Sequence, residues 1–387
     1  MPPINAVAAQ VDEIAAWRRH LHAHPELMYD VHGTARFVAD KLRAFGCDEV
    51  MEGIGRTGVV GLIRGSRGEG RTVGLRADMD ALPITETTGL PHASTTPGKM
   101  HACGHDGHTA MLLGAARHLC ETRNFPGSVA VIFQPAEEGG AGARAMIDDG
   151  MMERFDVAEV YGMHNMPGLP VGQFSIRPGP IMAATDEFTV TVKGRGSHAA
   201  QPHRSVDPIV VGAQIVNAIQ TIASRNVDPL QSVVVTVTKF QAGTAYNVIP
   251  ETALVAGTFR TLDAGVRAFV PERLRTICEG IAAAHGATIA FDHKVNYPVT
   301  VNHPDETGEA VAVASEIAGA GAVDPLTPPV MGAEDFSYML EARPGAFIFL
   351  GNGDTAPLHH PAYDFADEAI AHGVSYWVRL AERRLGA

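Results

Sequence analysis

Cysteine is scarce in this 387-residue chain, and the few cysteines it has are scattered. They are Cys47, Cys103, Cys120 and Cys278, and no two of them form a C-x-x-C pair. A disulfide scaffold or a zinc ribbon needs grouped cysteines, so this spacing argues against both. It fits a protein of a reducing compartment, and we expect the cytoplasm.

Positive charge and long apolar runs are also lacking. Lysine and arginine number 30 against 43 acidic residues, which gives a formal net charge of −13. Nucleic-acid binding needs a basic patch, so no nucleic-acid partner is expected. No run of about 18 apolar residues occurs, and the N-terminal stretch lacks a basic start followed by an apolar core. We therefore expect neither a membrane span nor a secretory signal.

What the chain does contain is an alternation of strand and helix patterns. Apolar runs in "TGVVGLIRG", "RTVGLRAD" and "GSVAVIFQ" predict buried strands, and "GHTAMLLGAARHLCET" has the apolar spacing of a helix. Such alternation predicts an α/β fold in which helices cover a mostly parallel sheet. Ligands of such sheets bind at the carboxyl ends of the strands.

The pattern changes near residue 183. Strict alternation in "EFTVTVKG" predicts a half-exposed strand, and the elements after it follow the order β-α-β-β-α-β. That is the order of the ferredoxin-like α+β unit. We therefore predict an inserted domain at 183–297 and a discontinuous α/β domain made of 1–182 and 298–387.

Metal-capable side chains are concentrated in five short segments, which follow predicted strands or lie in loops of the α/β part. The segments are "RADMDALP", "HACGHD", "PAEEGG", "YGMHNMPG" and "PLHHPAYD". Imidazole, thiolate and carboxylate together suit zinc, manganese, cobalt or nickel, but not calcium. The candidate ligands are Cys103, His105, Glu138, His164 and one of His359 and His360. Five ligands exceed the need of one tetrahedral zinc and fit two metals, although their spacing is that of neither a zinc finger nor H-E-x-x-H.

Two adjacent acids, Glu137 and Glu138, follow a predicted buried strand. Acids in such a place are costly unless they pair with cations or a metal. Neighbouring side chains on extended backbone point to different sides, so one carboxylate can bind metal while the other acts as a general base. A solvated acidic loop is the alternative.

The remaining polar residues of these segments have simpler interpretations. Asp106 is expected either to orient His105 or to cap the following helix. His101 and His108 are expected to be structural or to support a ligand. The histidines of the N-terminal helix and its exit loop are expected to be structural, namely His20, His22, His24 and His32.

Nine motifs together resemble one known family, in order and over the whole length. They are "HPEL", "RADMDALP", "MHACGHDGHTA", "FQPAEEGGAGA", "YGMHNMPGLPVG", "VKGRGSHAAQPH", "AYNVIP", "GAEDFSYM" and "HHPAYDF". The family is the M20 metallopeptidase clan, within it the branch of aminoacylases, hippurate hydrolases and indoleacetyl-amino-acid hydrolases. The resemblance implies a two-domain enzyme with two divalent metal ions, which cleaves the amide bond of N-acyl-L-amino acids.

The resemblance also assigns roles to residues of the α/β part. It implies metal ligation by Cys103, His105, Glu138, His164 and His360, with His360 preferred to His359. It implies Glu137 as general base and Asp80 as an orienting residue behind the ligands. Many relatives outside the branch have His-x-Asp where this chain has Asp78-Met79-Asp80, so Cys103 replaces that His. Both Cys103 and Glu138 remain candidates for the bridging ligand.

The inserted domain is implied to be a lid and dimerisation domain. By resemblance, His198 reaches the active site of the partner subunit in a homodimer or dimer-based oligomer and stabilises an oxyanion. Asn247 and Arg260 match positions that hold the substrate, Arg260 through the substrate's α-carboxylate. The simpler alternatives are a structural histidine, a turn residue and a surface salt bridge, respectively.

The expected reaction is attack by metal-bound hydroxide on the amide carbonyl, with Glu137 taking the proton. Hippurate-like substrates are expected, and no membrane partner. The alternative is a deacetylase of N-acetyl-diaminopimelate or N-acetylcysteine with the same site. A cysteine hydrolase that uses Cys103 and a non-enzymatic metal-binding protein are further alternatives.

Overall fold

The structure is a computed structural model that describes residues 4–386. The chain forms two compact units. The first comprises the described residues up to Ile181, together with Thr300–Pro328 and the chain from Asp335 onward. The second comprises Met182–Val299 and Pro329–Glu334. The predicted borders at 182/183 and 297/298 fall beside these, but the prediction did not separate Pro329–Glu334 from the α/β part.

Helices and strands alternate over much of the described chain. The helices are α1 (Asn5–Ala8), α2 (Val11–Ala23), α3 (His32–Phe45), α4 (His105–Thr122), α5 (Gly142–Asp148), α6 (Met151–Arg154), α7 (Pro208–Ile219), α8 (Ala264–Ala284), α9 (Pro304–Ala318), α10 (Ser337–Ala342) and α11 (Ile370–Leu385). The strands are β1 (Glu49–Ile54), β2 (Gly58–Arg64), β3 (Thr72–Asp78), β4 (Ser128–Gln134), β5 (Val157–Met166), β6 (Phe174–Ser175), β7 (Gly179–Met182), β8 (Ala184–Lys193), β9 (Ser197–His198), β10 (Val233–Ala242), β11 (Val248–Ile249), β12 (Thr252–Thr261), β13 (Thr288–Val295), β14 (Thr300–Asn302), β15 (Val323–Asp324) and β16 (Gly345–Gly351). Among the described residues, no helix is both long enough and apolar enough to cross a lipid bilayer.

The first unit is built on an eight-stranded sheet with the order β1-β2-β4-β3-β5-β16-β6-β15. Its four central strands, β4, β3, β5 and β16, are parallel, while β1 and β2 pair antiparallel at one edge. Central strands such as β3 and β16 are buried along their whole length, because helices cover both faces of a parallel sheet. The predicted mostly parallel α/β sheet is therefore confirmed.

Parallel pairing brings the carboxyl ends of the central strands to one edge of the sheet. Strand β3 ends at Asp78, β4 ends at Gln134 just before the two adjacent acids, and His164 lies near the end of β5. Helix α4 packs against β3 and begins at His105. The polar segments of the sequence thus meet at this edge, as expected for a sheet of this type.

The second unit has a four-stranded antiparallel sheet with the order β10-β12-β8-β13. Strand β8 alternates buried and more exposed residues along its length, as its sequence predicted. Helices α7 and α8 pack on the sheet, and the core between them contains Phe188, Val255 and Leu274. The chain order of these six elements is the predicted ferredoxin-like order.

Helix ends differ from the predictions in this unit. The helix expected at about 206–225 ends at Ile219, and a π-helical turn follows at Ile222–Asn226. The helix expected near 269 begins earlier, after Asp263, whose side chain accepts a hydrogen bond from the Val266 amide. Such caps satisfy N–H groups that the first helical turn leaves without partners.

Candidate metal centre

Four predicted ligands lie together in the first unit. The Sγ atom of Cys103 is 3.4 Å from Nε2 of His164, and Nε2 of His105 is 3.9 Å from Oε1 of Glu138. The ligand atoms of Cys103, His105 and His164 all lie within 4.8 Å of one another. The cluster therefore gathers residues from the start of α4, the end of β5 and the loop after β4.

The fifth position is occupied by His359 rather than by His360. Nε2 of His359 is 3.3 Å from Oε1 of Glu138, and the ligand atoms of His359, Glu138 and Cys103 lie within 4.8 Å of one another. His360 belongs to no such group among the described residues, and its Nδ1 accepts a hydrogen bond from the Ala362 amide. The geometry therefore favours His359 as the fifth ligand, where the sequence predicted His360.

The local backbone explains why the first histidine of the pair faces the cluster. His359 has a φ of 63°, in the left-handed region, and its amide donates to the carbonyl of Ala102 at 2.7 Å. Left-handed backbone is uncommon for a residue other than glycine, so the surroundings must hold it. The hydrogen bond to Ala102 holds the loop against the segment that carries Cys103.

The donor atoms of the cluster fit divalent transition-metal ions. Both ring nitrogens of His105 and Oε1 of Glu138 are buried without a hydrogen-bond partner. Buried polar atoms are rarely left without partners in folded proteins, and a bound cation would satisfy these. Nitrogen, sulfur and carboxylate oxygen together are a ligand set for zinc, manganese, cobalt or nickel.

The pKa shifts within the cluster also fit a metal-binding site. Burial lowers the pKa of His105, but the carboxylates of Asp78 and Asp80 outweigh it and raise that pKa to about 10. Burial, and then the charges of Glu138 and Glu137, raise the pKa of the Cys103 thiol well above its usual range. An excess of carboxylates thus retains protons on ligand atoms, and metal binding by these residues releases such protons.

Asp80 holds the turn that carries the two adjacent acids. Its Oδ1 accepts from the Glu137 amide at 2.9 Å, and its Oδ2 accepts from the Glu138 amide at 3.1 Å. Oδ1 also lies 3.6 Å from Nδ1 of His105. One carboxylate therefore fixes the backbone of both acids beside a predicted ligand histidine.

The two acids differ in what they approach. Glu138 lies against both His105 and His359, while Glu137 is 7% exposed and places a carboxylate oxygen within 4.8 Å of His105 and Glu138. The alternative of a solvated acidic loop does not hold for Glu137, because its side chain is buried.

Asn165 and Tyr363 are site residues that the sequence analysis missed. The Asn165 side chain donates to the carbonyl of Cys103 at 2.6 Å and accepts from the Tyr363 hydroxyl at 2.7 Å. The backbone carbonyl oxygen of Asn165 is 2.6 Å from Nδ1 of His164, which leaves Nε2 of that ring directed at Cys103. Asn165 therefore links three ligand-bearing segments through buried hydrogen bonds, and it fixes the tautomer of His164.

Gly104 is needed where these segments meet. Its φ is 86°, and a Cβ atom there would collide with the side chains of Asn165 and Tyr363. Both partners lie inside quoted motifs, "YGMHNMPG" and "HHPAYDF". The need for glycine at position 104 becomes visible only in the folded chain, where Asn165 and Tyr363 lie close to it.

Two further polar residues lie behind the ligands, and only Asp106 differs from the roles predicted for it. His108 places Nδ1 2.6 Å from Asp78 and accepts the Asn165 amide at Nε2, so it supports the neighbouring segment. Asp106 neither caps α4 nor contacts His105, because it accepts from Nδ1 of His22 at 2.8 Å. The predicted roles of Asp106 were therefore wrong.

The predicted substrate residues lie in the second unit. His198 is exposed on the two-stranded ribbon of β9 and β11, and its Nδ1 accepts from the Ala200 amide. Asn247 is exposed beside the same ribbon. Arg260 is half-buried on β12, where burial lowers its pKa and Nη1 donates to the carbonyl of Met331 at 3.2 Å. Within the described chain Arg260 has no carboxylate partner, so it is not the surface salt bridge considered as an alternative.

Comparison with known proteins identifies the chain's relatives. The pattern of peptidase family M20/M25/M40 matches residues 74–383. A hippurate hydrolase of Campylobacter jejuni is 43% identical over 100% of this chain and 99% of its own length. An N-acetyl-L-cysteine deacetylase of Bacillus subtilis is 42% identical over 99% of this chain and 90% of its own length.

A solved structure of the same family has a similar fold. A Bacillus subtilis protein described as a dinuclear metal binding peptidase from the M20 family superposes with a TM-score of 0.85 and 36% identity, covering 98% of this chain and 99% of its own. The predicted resemblance, the α/β fold and the class of metal-dependent hydrolase are thereby confirmed. The chain belongs to peptidase family M20/M25/M40.

Proposed function

We propose that this protein hydrolyses the amide bond of N-acyl-L-amino acids to a carboxylic acid and a free amino acid. Relatives named hippurate hydrolase and N-acetyl-L-cysteine deacetylase support this class of substrate. One observation in the structure carries the proposal. A single carboxylate, Asp80, holds the amides of Glu137 and Glu138, so that a ligand acid and a second buried acid lie side by side.

The ligands we assign are Cys103, His105, Glu138, His164 and His359, and they would hold two divalent cations from among zinc, manganese, cobalt and nickel. When bound, the cations supply Lewis-acid chemistry, which lowers the pKa of water and polarises the amide carbonyl. Cys103 and Glu138 both remain candidates for the bridging ligand. The description of the solved relative as dinuclear supports the number of cations.

Glu137 is the general base in this proposal. Its carboxylate takes a proton from the attacking water and passes it to the leaving amide nitrogen, so that the amine departs neutral. The position of Glu137 suits this task, because its buried side chain lies beside the ligand atoms of His105 and Glu138. Asp80 keeps Glu137 in place through the backbone amide rather than through its side chain.

Residues of the second unit bind the substrate in this proposal. Arg260 pairs with the substrate's α-carboxylate, because a guanidinium binds a carboxylate with two parallel hydrogen bonds. Asn247 assists in holding the substrate. The partner subunit's His198 donates a hydrogen bond to the oxyanion in a homodimer or dimer-based oligomer. The exposure of His198 and Asn247 supports a role outside the packed core.

The acyl group separates the main proposal from its alternative. The relative named N-acetyl-L-cysteine deacetylase is nearly as similar as the hippurate hydrolase, which favours acetyl substrates as a second candidate. Acetyl-diaminopimelate deacetylation uses the same chemistry.

The location we propose is the cytoplasm, and the four free cysteines support it.

Metal removal followed by metal addition, run over a panel of substrates, tests the proposal. We expect chelation to abolish hydrolysis of N-benzoyl, N-acetyl and N-indoleacetyl amino acids, and zinc, manganese, cobalt or nickel to restore it. Preference for the benzoyl substrates supports the hippurate-like assignment, while preference for acetylcysteine or acetyl-diaminopimelate supports the alternative. Full activity after exhaustive chelation contradicts metal dependence and favours the cysteine-hydrolase mechanism.

A further inference from the structure

Two cysteines outside the metal centre lie against each other in the first unit. The Sγ atoms of Cys47 and Cys120 are 3.6 Å apart. Cys120 is 8% exposed and Cys47 is half-buried, so a small solute can reach the pair through Cys47. The mechanism proposed above uses neither thiol.

The backbone around the pair holds the two thiols in place. Helix α3 ends at Phe45, and Gly46, with a φ of 84°, turns the chain directly after it. The Cys47 amide then donates to the Leu42 carbonyl. Cys120 lies in the last turn of α4, which ends at Thr122. Both cysteines therefore occupy helix ends with defined geometry.

Hydrogen bonds of the Arg123 side chain connect these two helix ends. Its guanidinium donates to the carbonyl of Gly46 at 2.6 Å and to the carboxylate of Asp48 at 2.7 Å, on either side of Cys47. Arg123 itself follows α4 directly. Two groups that are already held together react as though at high concentration, so a bond between the thiols requires little ordering of the chain.

The charges near the pair favour a reactive thiol. The hydrogen bond between the two thiols lowers the pKa of the Cys120 thiol and raises the pKa of the Cys47 thiol. Burial raises both pKa values, and the Arg123 guanidinium lowers both, so Cys120 is the thiol that ionises more readily. The thiolate is the form of cysteine that attacks peroxides and disulfides.

We propose that Cys47 and Cys120 form a reversible disulfide when the protein meets a peroxide, so that this corner of the first unit is a two-electron oxidation site. One thiolate attacks hydrogen peroxide, the O–O bond breaks, and the sulfur becomes a sulfenic acid; the expelled hydroxide takes up the proton that the thiol had lost and becomes water. The second thiol attacks that sulfur and releases a second water. Both sulfurs are oxidised, one peroxide is reduced to two waters, and a dithiol returns the pair to the reduced state.

The site is separate from the metal centre. Helix α4 begins at His105 and spans 18 residues, so Cys120 lies about 22 Å along the axis from that ligand. The inference does not depend on the proposed function, because its readout is the mass of peptides and not turnover.

The test is peptide mapping of the metal-loaded full chain after brief treatment with hydrogen peroxide and alkylation of the remaining thiols. Trypsin places Cys47 in residues 44–56 and Cys120 in residues 118–123. We expect these peptides to be recovered joined, about 2 Da below the sum of the two free peptides, and to separate after treatment with dithiothreitol. The Cys47→Ser variant should lose the joined pair, whereas Cys278→Ser, which removes an isolated buried thiol, should keep it.

Several results would overturn the inference. Recovery of both peptides alkylated and unjoined would show that the pair does not oxidise. Sulfinic or sulfonic acids on either cysteine without a joined peptide would show over-oxidation in place of the disulfide. A cross-link from residues 44–56 or 118–123 to the Cys103 peptide, residues 100–117, would assign the oxidation to the metal centre instead.

Discussion

The fold holds the predicted metal ligands of the first unit more firmly than the proposed substrate-binding residues of the second unit. His164 and Asn165 are buried, and hydrogen bonds fix the ring of one and the amide of the other. His198 and Asn247 are exposed, and their hydrogen bonds lie within the small ribbon of β9 and β11: the Ala200 amide donates to His198, and the Ala199 amide donates to the Asn247 carbonyl. A metal centre needs its ligands in place before substrate arrives, whereas residues that contact substrate can be ordered by it.

The same comparison applies to the charged residues of the two units. Three carboxylates, those of Asp78, Asp80 and Glu137, lie beside the ligand cluster of the first unit, which itself contains Glu138. Arg260, by contrast, is a half-buried cation of the second unit, and burial lowers its pKa. Acidic groups collect cations, and an arginine without a carboxylate partner suits an anionic substrate group. Substitutions in the first unit should therefore change metal content, and those in the second should change substrate binding.

The largest effect is expected for Glu137→Gln. The amide cannot take a proton, so kcat should fall by about a thousandfold, while the metal content per chain stays at the wild-type value. Steady-state kinetics with metal analysis of the same sample measures both. Glu121→Gln, an exposed acid of α4, is the control and should leave both unchanged. Turnover near the wild-type rate in Glu137→Gln would remove this residue from the mechanism.

The next effect separates two neighbouring histidines. His359→Ala should lose bound metal and lower kcat/KM by at least about a hundredfold, because it removes a ligand. His360→Ala should keep the wild-type metal content and remain within about threefold of wild-type activity, as expected for a surface substitution. The comparison needs only metal analysis and kinetics on the two variants. The opposite ranking would restore the sequence prediction.

Arg260→Ala should act on substrate and leave the metal alone. Loss of the guanidinium should raise KM for N-acyl amino acids by about tenfold or more, with little change for the same acyl amides that lack the α-carboxylate. Arg260→Lys should recover part of the loss, since lysine keeps the charge without the paired geometry. An equal KM increase for both kinds of substrate would contradict pairing with the carboxylate.

The smallest effect is expected for Tyr363→Phe. Removing the hydroxyl leaves Asn165 with one hydrogen bond fewer, and metal affinity should fall by about tenfold. Tyr161→Phe is a matched control, because the Tyr161 hydroxyl is buried without a hydrogen-bond partner. Competition with a fluorescent chelator measures the affinity of both variants. Equal affinities would show that Asn165 does not need Tyr363 to hold the ligand segments.

Much of this arrangement could be predicted from the sequence, for a physical reason. Parallel strands place their carboxyl ends at one edge, so polar residues after β3, β4 and β5 had to meet there. That argument is enough to bring Cys103, Glu138 and His164 together. The alternation of β8 likewise predicted a half-exposed strand, and the order of the elements around it predicted the ferredoxin-like unit.

Other features depend on contacts that no local pattern records. The choice of His359 over His360 follows from one left-handed residue and its hydrogen bond to Ala102. The role of Asn165 follows from three segments that meet only in the folded chain. Assignment of Pro329–Glu334 to the second unit likewise follows from contacts such as that of Met331 with Arg260.

Anomalous diffraction from crystals of the metal-loaded protein tests the central claim most directly. The claim is that Glu138 and His359 bind metal with Cys103, His105 and His164, while Glu137 stays off the metals. The account predicts two anomalous peaks bordered by those five side chains, with the Glu137 carboxylate bound to neither ion. A peak coordinated by Glu137, or by His360 in place of His359, would contradict it.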